Sequence, residues 1–149
     1  MEETKKFEIS FSGEKLTIYY EKYYSQQENY AWVIDSWPDF SIEHKNQIVA
    51  VFDAKNYGKS SANKADATYK MLGYMMNLDV DYGALFFPNF KDDEFTHTRN
   101  LSNNVELHLK LAHYKMTPQD SEEFIKEKKQ VFDRIFEEIR KRIPITIQT

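Results

Sequence analysis

Between Phe7 and Tyr24 the chain reads FEISFSGEKLTIYYEKYY, two runs rich in β-branched and aromatic residues on either side of Ser12-Gly13-Glu14-Lys15. Glycine supplies a positive φ for a tight reversal, so this segment predicts a β-hairpin. After the polar stretch Ser25-Gln26-Gln27-Glu28-Asn29 come AWVIDSWPDFSIEHK and QIVAVFDAKNY, two more strands turned near Lys45-Asn46-Gln47. The second is almost continuously apolar from Ile48 to Phe52, as expected of a central strand buried on both faces. Gly58 to Asn63 is small and polar and reads as a mobile loop before a helix near Lys64–Leu78. Ala65, Thr68, Tyr69, Leu72 and Met76 give that helix an apolar stripe, while Asp66, Lys70 and Tyr74 line up at i, i+4 and i+8. YGALFFP reads as a buried strand stopped by Pro88, NFKDDEFTHTRNLSNN as a polar excursion, and the alternating VELHLKLAHY as a half-exposed strand. Thr117-Pro118 and Asp120-Ser121-Glu122-Glu123 then open a last helix, with Phe124, Val131, Ile135 and Ile139 on its apolar face through Arg142 and Pro144 as its stop.

Four strands, a helix, two strands and a helix, with no repeat and no linker, predict one mixed-sheet α/β domain spanning residues 1–149. The totals agree: 149 residues, 41% hydrophobic and 15% aromatic, supply the core of one domain. The chain has no cysteine, which excludes disulfides, thiolate metal sites and cysteine nucleophiles. No apolar run approaches the roughly 20 residues that span a bilayer, and Met-Glu-Glu-Thr-Lys-Lys lacks the apolar region of a signal peptide, so no membrane association is expected and the cytoplasm is the default. A net charge of −4 argues against broad adhesion to nucleic acid, which depends on basic residues releasing phosphate counterions; a chain of this charge that acts on DNA would need help in binding it.

The residues that carry chemistry are Pro38-Asp39 on one strand and Asp53-Ala54-Lys55 at the end of the next. Side chains alternate along a strand, so Asp53 and Lys55 share a side, and a paired neighbour can bring Asp39 beside them. Two hard carboxylates suit Mg²⁺ or Mn²⁺, with the Ala54 carbonyl and waters as further oxygen ligands. Lys55 is placed to orient a water and to offset negative charge on a phosphate. Histidines 44, 97, 108 and 113 form no metal spacing, and the last helix interleaves acids and bases, as a solvated face does.

Pro38-Asp39, Asp53 and Lys55 resemble the signature of the PD-(D/E)XK phosphodiesterase superfamily. The ordered set KLTIYYEKYY, SWPDFSIE, VFDAKNY, KADATYKMLGYM and GALFFPN is similar to the nuclease domain of McrC-type restriction subunits, over roughly residues 15–143. The resemblance implies a restriction-endonuclease-like mixed sheet flanked by helices, with an N-terminal β-hairpin, and Mg²⁺-dependent hydrolysis of DNA by the cleavage module of a restriction or defence endonuclease. It implies Asp39, Asp53, Lys55, Lys70 and Tyr74 as catalytic residues and Asp39, Asp53 and Ala54 as metal ligands. It further implies DNA and a nucleotide-hydrolysing motor or DNA-recognition subunit as partners, with a homodimer as one arrangement. Relatives place an acidic residue on a helix ahead of the first strand, whereas this chain begins with β-rich sequence. The chain therefore reads as the C-terminal part of a longer protein, binding metal weakly and cleaving little by itself, unless Glu21 or Glu43 supplies the acid.

Other readings stay open. Asp39 and Asp53 also fit a turn-capping and a strand-end aspartate, Lys55 a solvated lysine, and Asp66 with Lys70 a surface i, i+4 pair. A repair or junction-resolving nuclease and a catalytically incomplete assembly domain would use the same fold.

Overall fold

The computed structural model describes residues 3–25, 34–54, 61–87, 110–115 and 121–143. Its strands are β1 (Lys5–Phe11), β2 (Glu14–Tyr20), β3 (Phe40–His44), β4 (Gln47–Ala54), β5 (Tyr82–Phe87) and β6 (Lys110–Lys115), with α1 (Ser61–Asn77) between β4 and β5 and α2 (Ser121–Arg142) last. They form one six-stranded sheet in chain order. β1 to β4 are an antiparallel meander, and β4, β5 and β6 run parallel. The expected class, a mixed α/β sheet flanked by helices with an N-terminal hairpin, is the observed one.

Both hairpins close on two residues with positive φ: Ser12 and Gly13 between Phe11 and Glu14, and Lys45 and Asn46 between His44 and Gln47. Such turns match the twist of the flanking strands, which is why short loops suffice. The β3–β4 ladder carries a bulge, because Ile42 faces Ala50 while Glu43 faces Ile48, leaving Val49 as the extra residue. The bulge shifts the alternation, so Val49, Ala50 and Phe52 pack on one face of the sheet, and Ile48 and Val51 on the other.

Each face is covered by one helix. α1 joins Ile48, Val51, Val80 and Leu85 through Ala67, Met71, Tyr74, Met75 and Leu78. On the opposite face Val131, Ile135, Ile139 and Ile143 cover Leu16, Ile42, Phe52, Tyr82 and Ala84. α2 is tied down at its end, where Arg142 donates to Asp81 at 2.8 Å and to Glu138 at 2.8 Å.

Three expectations need correction. The helix starts at Ser61 rather than near Lys64, so Ser61 to Asn63 belong to it and not to a loop. Its buried stripe is Ala67, Met71, Tyr74, Met75 and Leu78, whereas Tyr69 and Met76 are largely exposed. Asp39 stands immediately before β3 rather than within a strand. The polar stretch after Ser25, the segment Gly58 to Ser60, the excursion after Pro88, the first half of VELHLKLAHY and the Pro144 stop lie outside the described residues.

Candidate functional site

Asp53 is the penultimate residue of β4 and Asp39 the residue before β3, and antiparallel pairing of Phe40 with Phe52 sets them side by side. Each carboxylate accepts a backbone N–H from the other's segment. The Asp39 N–H donates to Asp53 Oδ1 at 2.9 Å, and the Ala54 N–H donates to Asp39 Oδ2 at 2.8 Å. Asp53 is 2% exposed, so its carboxylate is fixed by burial as well as bonding. Alternation puts Asp53 on the face covered by α1, with Val51. The pair sits at the carboxyl end of β4, the end at which α/β sheets ordinarily bind ligands.

α1 follows and reaches over this end. Tyr74, buried, donates its hydroxyl to the Trp37 carbonyl at 3.2 Å, and the Lys70 ammonium lies 5.5 Å from the Tyr74 ring centroid. Partial burial pulls the Lys70 pKa down, but its hydrogen bond and charge interaction with Tyr74 and the attraction of Asp53 and Asp39 outweigh that, leaving it above the ordinary lysine value. Lys70 is thus a cation at any neutral pH and feels both carboxylates. Asp66, one turn earlier, is exposed.

The segment ahead of Asp39 is bonded along its length. Tyr24 and Ser36 exchange backbone hydrogen bonds of 2.8 and 2.9 Å, the Trp37 indole N–H donates to the Glu21 carbonyl at 2.7 Å, and the Glu21 N–H donates to the Asp39 carbonyl at 2.8 Å. Pro38 is fully buried. Glu21 also raises the Tyr20 phenol by its charge, with burial, a hydrogen bond from Tyr20 and the charge of Asp39 adding to it.

No protein-family model matches the chain, and no curated protein matches it in sequence. A solved structure is similar: a chain of the refined half-complex from the tetradecameric assembly of Thermococcus gammatolerans McrB AAA+ hexamers with bound McrC. The TM-score is 0.50 at 11% identity, covering 78% of this chain and 28% of that one. The likeness is one of fold. This chain spans little more than a quarter of the length of the chain it resembles.

Of the residues read from the sequence, Asp39, Asp53 and Ala54 come together, Lys70 acts on the two carboxylates by its charge, and Tyr74 bonds the Trp37 carbonyl two residues before Asp39. Lys55 lies outside the described residues. Glu43 is four residues along β3 from Asp39, about 13 Å at the usual strand rise. It is engaged there, accepting from Lys22 Nζ at 2.9 Å and from the Tyr24 hydroxyl at 3.3 Å, while that hydroxyl also bonds Ser41 at 2.7 Å. Burial drives the Tyr24 phenol well above its ordinary value, so it stays protonated. Among the described residues no group of three or more His, Asp or Glu side chains is placed to hold a metal, and no helix is long and apolar enough to cross a membrane. Nothing in the sequence pattern singles out Asn77, whose amide bonds Ile34 and Ser36 across more than forty residues. An asparagine at the end of a helix reads as a cap.

Proposed function

We propose that this chain is a metal-dependent DNA phosphodiesterase module of the PD-(D/E)XK type, the cleavage part of a restriction or defence endonuclease. The observation that carries the reading is the pair of bonds that sets Asp39 beside Asp53, Asp39 N–H to the Asp53 carboxylate and Ala54 N–H to the Asp39 carboxylate, under the charge of Lys70. Two carboxylates locked together at a strand end, beside the backbone of Ala54, are a hard-oxygen donor set and fit Mg²⁺ or Mn²⁺. Asp39 and Asp53 would hold the ion with the Ala54 carbonyl.

When bound, the ion supplies Lewis-acid stabilisation of charge on a phosphodiester. Lys70 offsets the charge of the two carboxylates, which would otherwise repel a phosphate, and offers it a donor. Lys55, two positions beyond Asp53 in a strand-end sequence, is assigned to orient the attacking water. Tyr74, whose hydroxyl bonds the Trp37 carbonyl, aligns rather than reacts.

The acidic chain needs a partner to bring DNA to the site. The similar chain comes from an assembly of McrB AAA+ hexamers with McrC. We extend that to this chain as a proposal: it works with a nucleotide-hydrolysing motor subunit, and a further acid comes from another segment or subunit. The test is plasmid cleavage in Mg²⁺ or Mn²⁺ by the chain together with that segment or subunit. Nicking or linearisation that EDTA stops and Asp53→Asn abolishes is expected. Cleavage indifferent to both would remove the reading.

A further inference from the structure

α1 carries two polar side chains, one turn apart, that bond a single segment of distant chain. Tyr74 takes the Trp37 carbonyl. Asn77 takes more: its Nδ2 donates to the Ile34 carbonyl at 2.6 Å and to Ser36 Oγ at 2.7 Å, and its Oδ1 accepts the Ile34 N–H at 3.2 Å. Both Asn77 and Ser36 are buried. A side-chain amide that pairs with both the N–H and the C=O of one residue acts as a neighbouring strand would, and it fixes the height of Ile34 to Trp37 against the helix.

That segment runs through the buried Pro38 straight into Asp39, while the same helix packs through Met71 and Met75 on the side of the sheet where Asp53 points. α1 therefore links the carriers of both carboxylates. We propose that Asn77 is a positioning residue for the candidate site: it holds Asp39 at the distance from Asp53 at which the two share one divalent cation. The inference rests on the metal-dependent reading given above.

The experiment is a Mn²⁺ titration of the chain, followed by paramagnetic broadening of the Asp39, Asp53 and Ala54 amides, in the wild type, Asn77→Ala, Asn77→Gln and Ile139→Ala. Asn77→Ala is expected to weaken Mn²⁺ binding about tenfold, the ordinary cost of removing a group that orients a ligand. Asn77→Gln keeps the amide donor and acceptor one methylene further out and should lose less; it also serves if the alanine variant does not fold. Ile139→Ala, in the opposite core, should lower the melting temperature and leave the affinity unchanged. Wild-type affinity in both Asn77 variants, or a loss in Ile139→Ala matching that in Asn77→Ala, would overturn the inference. A wild type whose three amides ignore Mn²⁺ would instead remove the metal site itself.

Discussion

The two faces of the sheet divide the work. Under α2 the packing is apolar and aromatic: Leu16, Ile42, Phe52 and Tyr82 meet Val131, Ile135 and Ile139, and Phe11 stacks on Phe136 at 5.2 Å. Under α1 the apolar cluster is flanked by buried polar groups, namely Ser36, Ser41, Glu43, Asp53 and Asn77, each engaged in hydrogen bonds. Hydrophobic burial stabilises without direction, whereas a buried polar group is costly unless its partners stand at the right distance and angle. The α2 face therefore holds the sheet together mainly by volume, with one ionic anchor at its end where buried Glu138 pairs with Arg142. The α1 face fixes positions, and the candidate site is on that face.

Substitutions should separate the faces. The largest effect is expected from Asp53→Asn, which keeps an oxygen to accept the Asp39 N–H but removes the charge: Mg²⁺-dependent cleavage by the partnered protein should fall at least about 100-fold, with little change in melting temperature. Ile139→Ala should do the reverse, costing about 2–5 kcal/mol in denaturant unfolding and leaving the site's metal affinity alone. Gly83→Ala tests how closely α1 lies on β5, because a Cβ there would come within 2.5 Å of Met75 Sδ and 3.0 Å of Met71 Sδ. Methionine tips can shift, so a loss of about 1–3 kcal/mol is expected, with weaker Mn²⁺ binding because α1 also carries Tyr74 and Asn77.

The smallest effect belongs to Lys70 and pH. Its pKa is raised in the folded chain, so whatever stability its charge contributes is fully present below the ordinary lysine value near 10.5 and is lost as pH rises through the higher folded value. The stability difference between wild type and Lys70→Met should be flat from pH 6 to pH 9 and shrink only in the alkaline range. Denaturant unfolding across pH would show it, and a difference that collapses near neutrality would contradict the assignment of the cation.

Much of the fold was legible because its signals are local. Ser12-Gly13 and Lys45-Asn46 mark their turns within a few residues, and the apolar run from Ile48 to Phe52 announces a central strand. Asp39 and Asp53 were legible as neighbours because antiparallel pairing and alternation follow from a tight turn. The face of α1 was not. Its sequence offers Tyr69, Leu72 and Met76 on one line and Met71, Tyr74, Met75 and Leu78 on another, and the choice between two apolar stripes is made by the sheet beneath. The bonds from Asn77 to Ile34 and Ser36 were hidden for a related reason, since residues so far apart in sequence meet only once the helix has docked.

The most direct measurement is Mn²⁺ binding to the chain itself, compared between the wild type and Asp53→Asn. The account predicts broadening centred on the Asp39, Asp53 and Ala54 amides, weak in affinity if a further acid comes from elsewhere, and lost in Asp53→Asn. Broadening scattered over surface carboxylates and unchanged by the substitution would contradict it.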